Sequence, residues 1–272
     1  MAHRTSFVHT KGGTGKTTVA VNVAGFLERK GENVLLVDGD PEGHASRNLG
    51  IEPERFGTSL HHLLHPDESV EAKNVLYPTR YGVDVVPGTG KLHDTYHELF
   101  GSDRNDLFSS ALDSVESRYD HVIVDSPSSY RRVIASVLRA SNDYHLILDS
   151  SMFSQEGGQA LKSFLKKLPD KHDIPLNPSK AVMVENREKG ALRRLKEKVL
   201  GERNVPERVA KSFFGSRFVK VPYCEAVRDS QERSRPLSHF ERIPEGARVF
   251  EELAEDIQTY SWNTVQSRNS SS

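Results

Sequence analysis

Lys11-Gly12-Gly13-Thr14-Gly15-Lys16-Thr17-Thr18 stands between a short apolar run (5–10) and a stretch of helical periodicity (16–30). Glycine adopts backbone angles that turn successive N–H groups to one side, and its missing side chain lets an anion come close. The N-terminus of the following helix adds its dipole. In this strand–turn–helix setting the stretch reads as a phosphate-binding loop. Lys16 is placed to bridge β- and γ-phosphates, Thr17 to ligate Mg²⁺ and Thr18 to reach the α-phosphate. Thr10 occupies the first-glycine position of G-x-x-x-x-G-K-[ST], so the fit is to a variant, K-G-G-x-G-K-[ST]-[ST], with an additional leading lysine. Pro87-Gly-Thr-Gly-Lys91 is superficially similar, but Leu92 stands where the metal-binding hydroxyl is needed, and it reads as a strand-end turn.

Outward from the loop, apolar runs and helical patterns alternate. Strands are expected at 5–10, 33–37, 83–86, 121–124, 144–148, 181–185 and 217–221. Helices are expected at 16–30, closed by Gly31, and at 106–119, 131–140, 156–168, 191–200 and 245–260, the last opened by Pro244. Apolar strands without alternation, joined by helices, predict an α/β fold: a doubly wound, mostly parallel twisted sheet flanked by helices. No repeat or linker interrupts it, so residues 1–260 are expected to form one domain and 261–272 a polar, disordered tail.

The 272 residues carry 37 Lys plus Arg against 38 Asp plus Glu, a net charge of −1, which excludes attachment to nucleic acid or membrane by bulk charge. By segment the neutrality breaks. Residues 41–126 hold 15 acids against 7 bases (−8), and residues 185–220 hold 11 bases against 5 acids (+6). The single cysteine, Cys224, excludes an intrachain disulfide framework and a multi-cysteine metal site, and fits a reducing cytoplasm. No apolar run approaches the ~20 residues that span a bilayer, and the first ten residues are too short for a signal-peptide core. His61, His62 and His65 invite a metal reading, but no further ligand is evident nearby.

The leading Lys11 resembles the signature lysine of the ParA/MinD (deviant Walker A, SIMIBI-class) P-loop ATPases. The resemblance extends along the chain. Val34–Glu42 (VLLVDGDPE) is similar to that family's D-x-D-P-Q segment, and Tyr119–Ser129 (YDHVIVDSPSS) to its Walker B segment, D-Y-x-x-x-D-x-P-P-S. Val184–Arg187 (VENR) resembles its adenine-reading strand end, while KVP at 220–222 and AVRDSQERSRPL at 226–237 resemble its closing segment. Two departures stand out: Glu42 replaces the usual glutamine, and Ser126-Pro127-Ser128 replaces the common C/T-P-P.

The resemblance implies ATP and Mg²⁺ as ligands, with Gly12, Gly13, Thr14, Gly15, Lys16, Thr17 and Thr18 around the phosphates. It implies that Asp40 orients the attacking water and that Asp125 holds Mg²⁺ together with Thr17, with Asp38 sharing the metal's surroundings. Lys11 is implied to reach across a two-fold interface to a partner's ATP, and Asn186, Arg187 and Pro222 to enclose the base. The relatives most similar in these parts are ParA/Soj-type partition ATPases, whose ATP-bound homodimers bind nonspecific DNA and are reset by a ParB-like, DNA-bound partner protein. For that surface the basic segment offers Arg193, Arg194, Lys196, Lys198, Arg203, Arg208, Lys211, Arg217 and Lys220. The implied location is cytoplasmic, on the nucleoid when ATP is bound. No helix-turn-helix pattern precedes the first strand, so operator binding is not expected. A MinD-like or other cargo-positioning ATPase is the first alternative; against a membrane role, the last helix carries Glu251, Glu252, Glu255 and Asp256. An ATP-dependent small-molecule ligase of the same fold is the second.

Overall fold

A computed structural model describes residues 1–9, 12–55, 57–65, 70–99, 106–148, 178–185 and 205–269, with side chains described at neither 205–206 nor 262–269. Lys11, Asn186, Arg187, Arg193, Arg194, Lys196, Lys198 and Arg203, and the helices expected at 156–168 and 191–200, lie outside these residues.

Eight strands form one sheet: β1 (His3–Val8), β2 (Val34–Asp38), β3 (Tyr77–Pro78), β4 (Asp84–Val86), β5 (His121–Asp125), β6 (Asp143–Leu148), β7 (Lys180–Val184) and β8 (Phe218–Val221). Their spatial order is β3-β4-β2-β5-β1-β6-β7-β8, and every pairing is parallel except β3 with β4. The chain therefore runs to one side of β1, returns to fill the gap with β5, and then builds the other side. The helices are α1 (Lys16–Arg29), α2 (His44–Asn48), α3 (Leu60–Leu64), α4 (Leu92–Leu99), α5 (Leu107–Val115), α6 (Arg131–Arg139), α7 (Val205–Phe214), α8 (Glu225–Glu232) and α9 (Arg248–Asn269). None of the described helices is long and apolar enough to cross a membrane.

The unbroken apolar strands follow from burial on both faces. Val34 and Leu36 of β2 join one core with Val23, Phe26 and Leu27 of α1 and Phe250, Leu253 and Ile257 of α9. Leu35 and Val37 point the other way, into a second core with Phe108, Leu112, Val133 and Val137 of α5 and α6. Each such side chain contributes roughly 1.5–3 kcal/mol when fully buried.

The differences from expectation have physical causes. Strand β1 begins at His3 rather than at residue 5 because its polar residues are partnered: His3 lies 3.5 Å from Asp143, and Arg4 donates to Glu116 at 2.7 Å. The α5 helix ends at Val115, and Glu116–Arg118 tightens to a 3₁₀ turn. The last helix begins at Arg248, after a 3₁₀ turn at Glu245–Ala247, and continues to Asn269, into the expected tail.

Candidate functional site

The loop after β1 enters α1 through Gly15, whose φ of +95° is left-handed. Conformation requires glycine there, and a Cβ would in addition stand 3.0 Å from the Val184 side chain, a tight fit that adds a second, milder requirement. Gly13, at φ +72°, meets only the first requirement. Lys16 is buried although it is a lysine, and Thr14 and Thr18 are buried beside it. The sequence-predicted residues Gly12 to Thr18 thus form one end of a cavity of about 880 Å³.

The central strands β2, β5 and β1 are neighbours and end at this loop, as open α/β sheets place their ligands. Parallel pairing sets Asp38 directly beside Asp125 at the ends of β2 and β5, and both are fully buried. The Thr17 hydroxyl donates to Asp125 Oδ2 at 2.6 Å, while Asp125 Oδ1 is buried and without a hydrogen-bond partner among the described residues. Asp38 is engaged differently. Its Oδ2 accepts from the Ser46 backbone N–H at 2.8 Å and from the Ser46 hydroxyl at 2.7 Å, and its Oδ1 accepts from the Asp40 N–H at 3.2 Å. Asp38 therefore shapes the loop that carries Asp40.

Asp40 is half-buried on the cavity wall. Its Oδ1 accepts from the Glu42 N–H at 3.1 Å and its Oδ2 from the Ser128 hydroxyl at 3.3 Å, which joins the loops that follow β2 and β5. Two glycines permit this closeness. A Cβ on Gly39 would lie 2.8 Å from the Asp125 carbonyl, and one on Gly88 would lie 2.4 Å from the Asp40 carbonyl. The strand-end turn that mimics a phosphate loop is thus the backing of the acidic loop. Tyr96 adds a brace, its hydroxyl donating to the Gly39 carbonyl at 2.6 Å.

Loss of water pushes the Asp38 and Asp125 carboxyls upward, for Asp38 against its Ser46 hydrogen bonds and for Asp125 against the pull of Lys16. Their neighbouring carboxylates add to both shifts. Among the described residues, Asp38, Asp40 and Asp125 gather around one buried lysine, Lys16. An orphaned buried carboxylate oxygen beside a threonine hydroxyl suits Mg²⁺, which takes one or two protein oxygens and completes its octahedron with water and phosphate. Among the described residues no group of three metal-ligating His, Cys, Asp or Glu side chains occurs. In particular, His61 is bonded to Thr95 at 2.5 Å, His62 accepts from the Ser59 N–H at 3.1 Å, and His65 lies 3.8 Å from Glu98.

The cavity is also lined by Val184 at the end of β7 and Glu185 after it, by Val221 at the end of β8 with Pro222 and Cys224 after it, by Val227 of α8 and by Phe250 of α9. Pro222, expected from the sequence to enclose a base, is one of the residues lining the cavity. Sequence reasoning missed Ser46, Ser128 and Gln231. Gln231 reaches back from α8, donating from Nε2 to Thr18 Oγ1 at 3.0 Å. Ser128 alone carried a signal, as a departure from the family pattern.

The described basic candidates are partly committed within the chain. Lys220 bridges Glu185 and Glu207, each at 3.1 Å, and joins β8, β7 and α7. Lys211 pairs with Glu207 at 3.0 Å but keeps most of its side chain in solvent, and Arg217 is half-buried.

Residues 2–178 match the family model described as an AAA domain. The chain is 28% identical over 258 residues to the sporulation initiation inhibitor protein Soj of Bacillus subtilis, covering 93% of this chain and 96% of that protein. It is 26% identical over 256 residues to the chromosome-partitioning ATPase Soj of Treponema pallidum, covering 92% and 95%. Among solved structures, the ATP complex of a McdA variant from Cyanothece superposes with a TM-score of 0.77 over 94% of this chain and 96% of that one, at 17% identity.

Proposed function

The chain belongs to the AAA-domain family of ParA/MinD P-loop ATPases, and on that premise we propose that it is a ParA-type partition ATPase whose ATP-bound homodimer binds DNA without sequence preference. The observation that carries this reading is the convergence of Lys16, Thr17, Asp125 and Asp40 at the ends of three adjacent strands, in a chain that aligns along nearly its whole length with Soj proteins.

In this reading the substrate ATP lies with its phosphates on the Gly12–Thr18 loop and its base toward Pro222 and Val227. The backbone N–H groups of the loop and Lys16 hold the triphosphate. Thr17 and Asp125 would hold Mg²⁺, which would supply positive charge to offset that of the triphosphate. Asp40, oriented by Glu42 and Ser128, accepts a hydrogen bond from the attacking water and aligns it with the γ-phosphorus. Lys11 completes the site of a second copy, so that ATP sets the oligomeric state.

The dimer doubles the number of basic residues that segment 185–220 can offer, and DNA binding appears with ATP and ends on hydrolysis. A ParB-like DNA-bound partner stimulates that hydrolysis, and the protein resides in the cytoplasm, on the nucleoid while ATP is bound. A gel shift on a nonspecific duplex with ATP, with ADP and without nucleotide, over increasing salt, tests this reading. The expected result is retardation with ATP alone, falling steeply with salt, and its loss in Arg193→Glu/Arg194→Glu. Retardation without ATP, or unchanged by salt, sinks it.

A further inference from the structure

We infer that Gln231 is a positioning residue for the α-phosphate: its side-chain amide holds the Thr18 oxygen as an acceptor and so turns the Thr18 proton toward the nucleotide. This rests on the reading of the cavity as a nucleotide site.

A threonine hydroxyl has one proton and two lone pairs. The Gln231 amide donates to Thr18 Oγ1 at 3.0 Å and occupies one lone pair. Among the described residues the Thr18 hydroxyl itself donates to none. Left alone, a threonine in a helix turns its proton to the carbonyl one turn back. With the oxygen held from the α8 side, the proton is directed into the cavity, which both residues line. Thr18 lies in the first turn of α1, so its hydroxyl joins the unpaired N–H groups of that turn in facing an anion.

Gln231 is itself exposed on α8, and the end of that helix is secured independently of it. The Asn22 side chain donates to the Thr18 carbonyl at 2.8 Å and accepts from the Leu237 N–H at 2.8 Å, tying the segment after α8 to α1. The Ser230 hydroxyl closes the turn on the Arg235 carbonyl at 2.7 Å. The Gln231 amide is therefore not needed to dock α8. One helix thereby touches both ends of the ligand, Val227 at the base and Gln231, through Thr18, at the first phosphate.

Because the α-phosphate is common to ADP and ATP, Gln231 contributes to the binding of any adenosine 5′-phosphate and does not tell ATP from ADP. Calorimetric titration of wild type, Gln231→Ala, Gln231→Glu, Thr18→Ala and the Thr18→Ala/Gln231→Ala double variant with Mg·ATP and Mg·ADP tests this, with adenosine followed by competition. Gln231→Ala is expected to weaken ATP and ADP alike by about 10-fold and to leave adenosine unchanged. Gln231→Glu, which cannot donate and adds a negative charge, is expected to weaken both nucleotides further. In the Thr18→Ala background the Gln231→Ala change is expected to cost no more than about 2-fold, since the two act as one unit. Equal weakening of adenosine, or a full loss in the Thr18→Ala background, overturns the inference. Wild type that bound none of the three ligands would overturn the nucleotide reading itself, and this inference with it.

Discussion

Asp40 holds two hydrogen bonds that fix its carboxylate while leaving lone pairs for a water. One of them comes from Ser128, at a position where the family pattern has proline, which carries no hydroxyl. If Ser128 orients Asp40, Ser128→Ala lowers kcat by about 10-fold, the worth of one hydrogen bond to a charged group, with KM for ATP unchanged. Ser128→Thr, which keeps the hydroxyl, restores most of it. Steady-state phosphate release across ATP concentrations reads both parameters, and a change confined to KM would assign Ser128 to binding instead. At this scale the sequence was legible where chemistry and chain neighbourhood coincide: Lys16, Thr17, Asp38, Asp40 and Asp125 each stand at a strand end or in the loop itself. It was illegible where the partner arrives from elsewhere. Ser46, Ser128 and Gln231 are ordinary polar residues until the fold brings them to Asp38, Asp40 and Thr18.

The basic segment shows the same limit one level up, between elements. A count of lysines and arginines cannot say which of them the sheet keeps for itself. Lys220 is three-quarters buried and holds β8 to Glu185 after β7 and to Glu207 of α7, so removing it leaves two carboxylates facing each other. Lys220→Ala is expected to cost about 1–3 kcal/mol of stability, whereas Lys211→Ala, a mostly exposed i,i+4 pair, costs about 0–1 kcal/mol. Urea denaturation of the two variants checks the ranking, and an equal effect would remove the structural role given to Lys220. Strands were readable for the opposite reason. Burial on both faces makes the bodies of β2 (VLLV) and β5 (VIV) continuous apolar runs, which need no knowledge of their partners. The two-residue β3 and the five-residue α2 are too short to show a period, and only their contacts define them.

Across the whole molecule, neutrality conceals charges placed deep inside. Burial lowers the affinity of His121 and His145 for protons, and neither nitrogen of the His145 ring has a hydrogen-bond partner among the described residues. Their unfolded forms take up protons near pH 6.5, and their folded forms do so only at lower pH. Between those values the unfolded chain binds more protons, so stability that is complete above about pH 6.5 declines as pH falls. The carboxyls of Asp38 and Asp125, raised by burial, act in the reverse sense, so the informative quantity is a difference. Comparing melting temperatures of wild type and His145→Leu from pH 7.5 to pH 5, in steps of about half a unit, should show the smaller acid loss in the variant. Parallel curves would mean that His145 does not titrate with unfolding.

The helix that carries the phosphate loop rests on the helix that ends the described chain: Val23, Phe26 and Leu27 of α1 share a core with Phe250, Leu253 and Ile257 of α9, and Lys30 reaches Glu255 at 2.8 Å. This orders events during synthesis. A ribosome that has translated the first 240 residues has already made the loop and both strand-end aspartates, but neither Phe250, which lines the cavity, nor the surface against which α1 is held. The nascent protein is thus expected to collapse around its sheet before α1 is firmly held, and to bind nucleotide at full strength only once α9 has packed against it. A message truncated shortly before α9 would yield a chain with every phosphate-binding residue present and no firm seat for them.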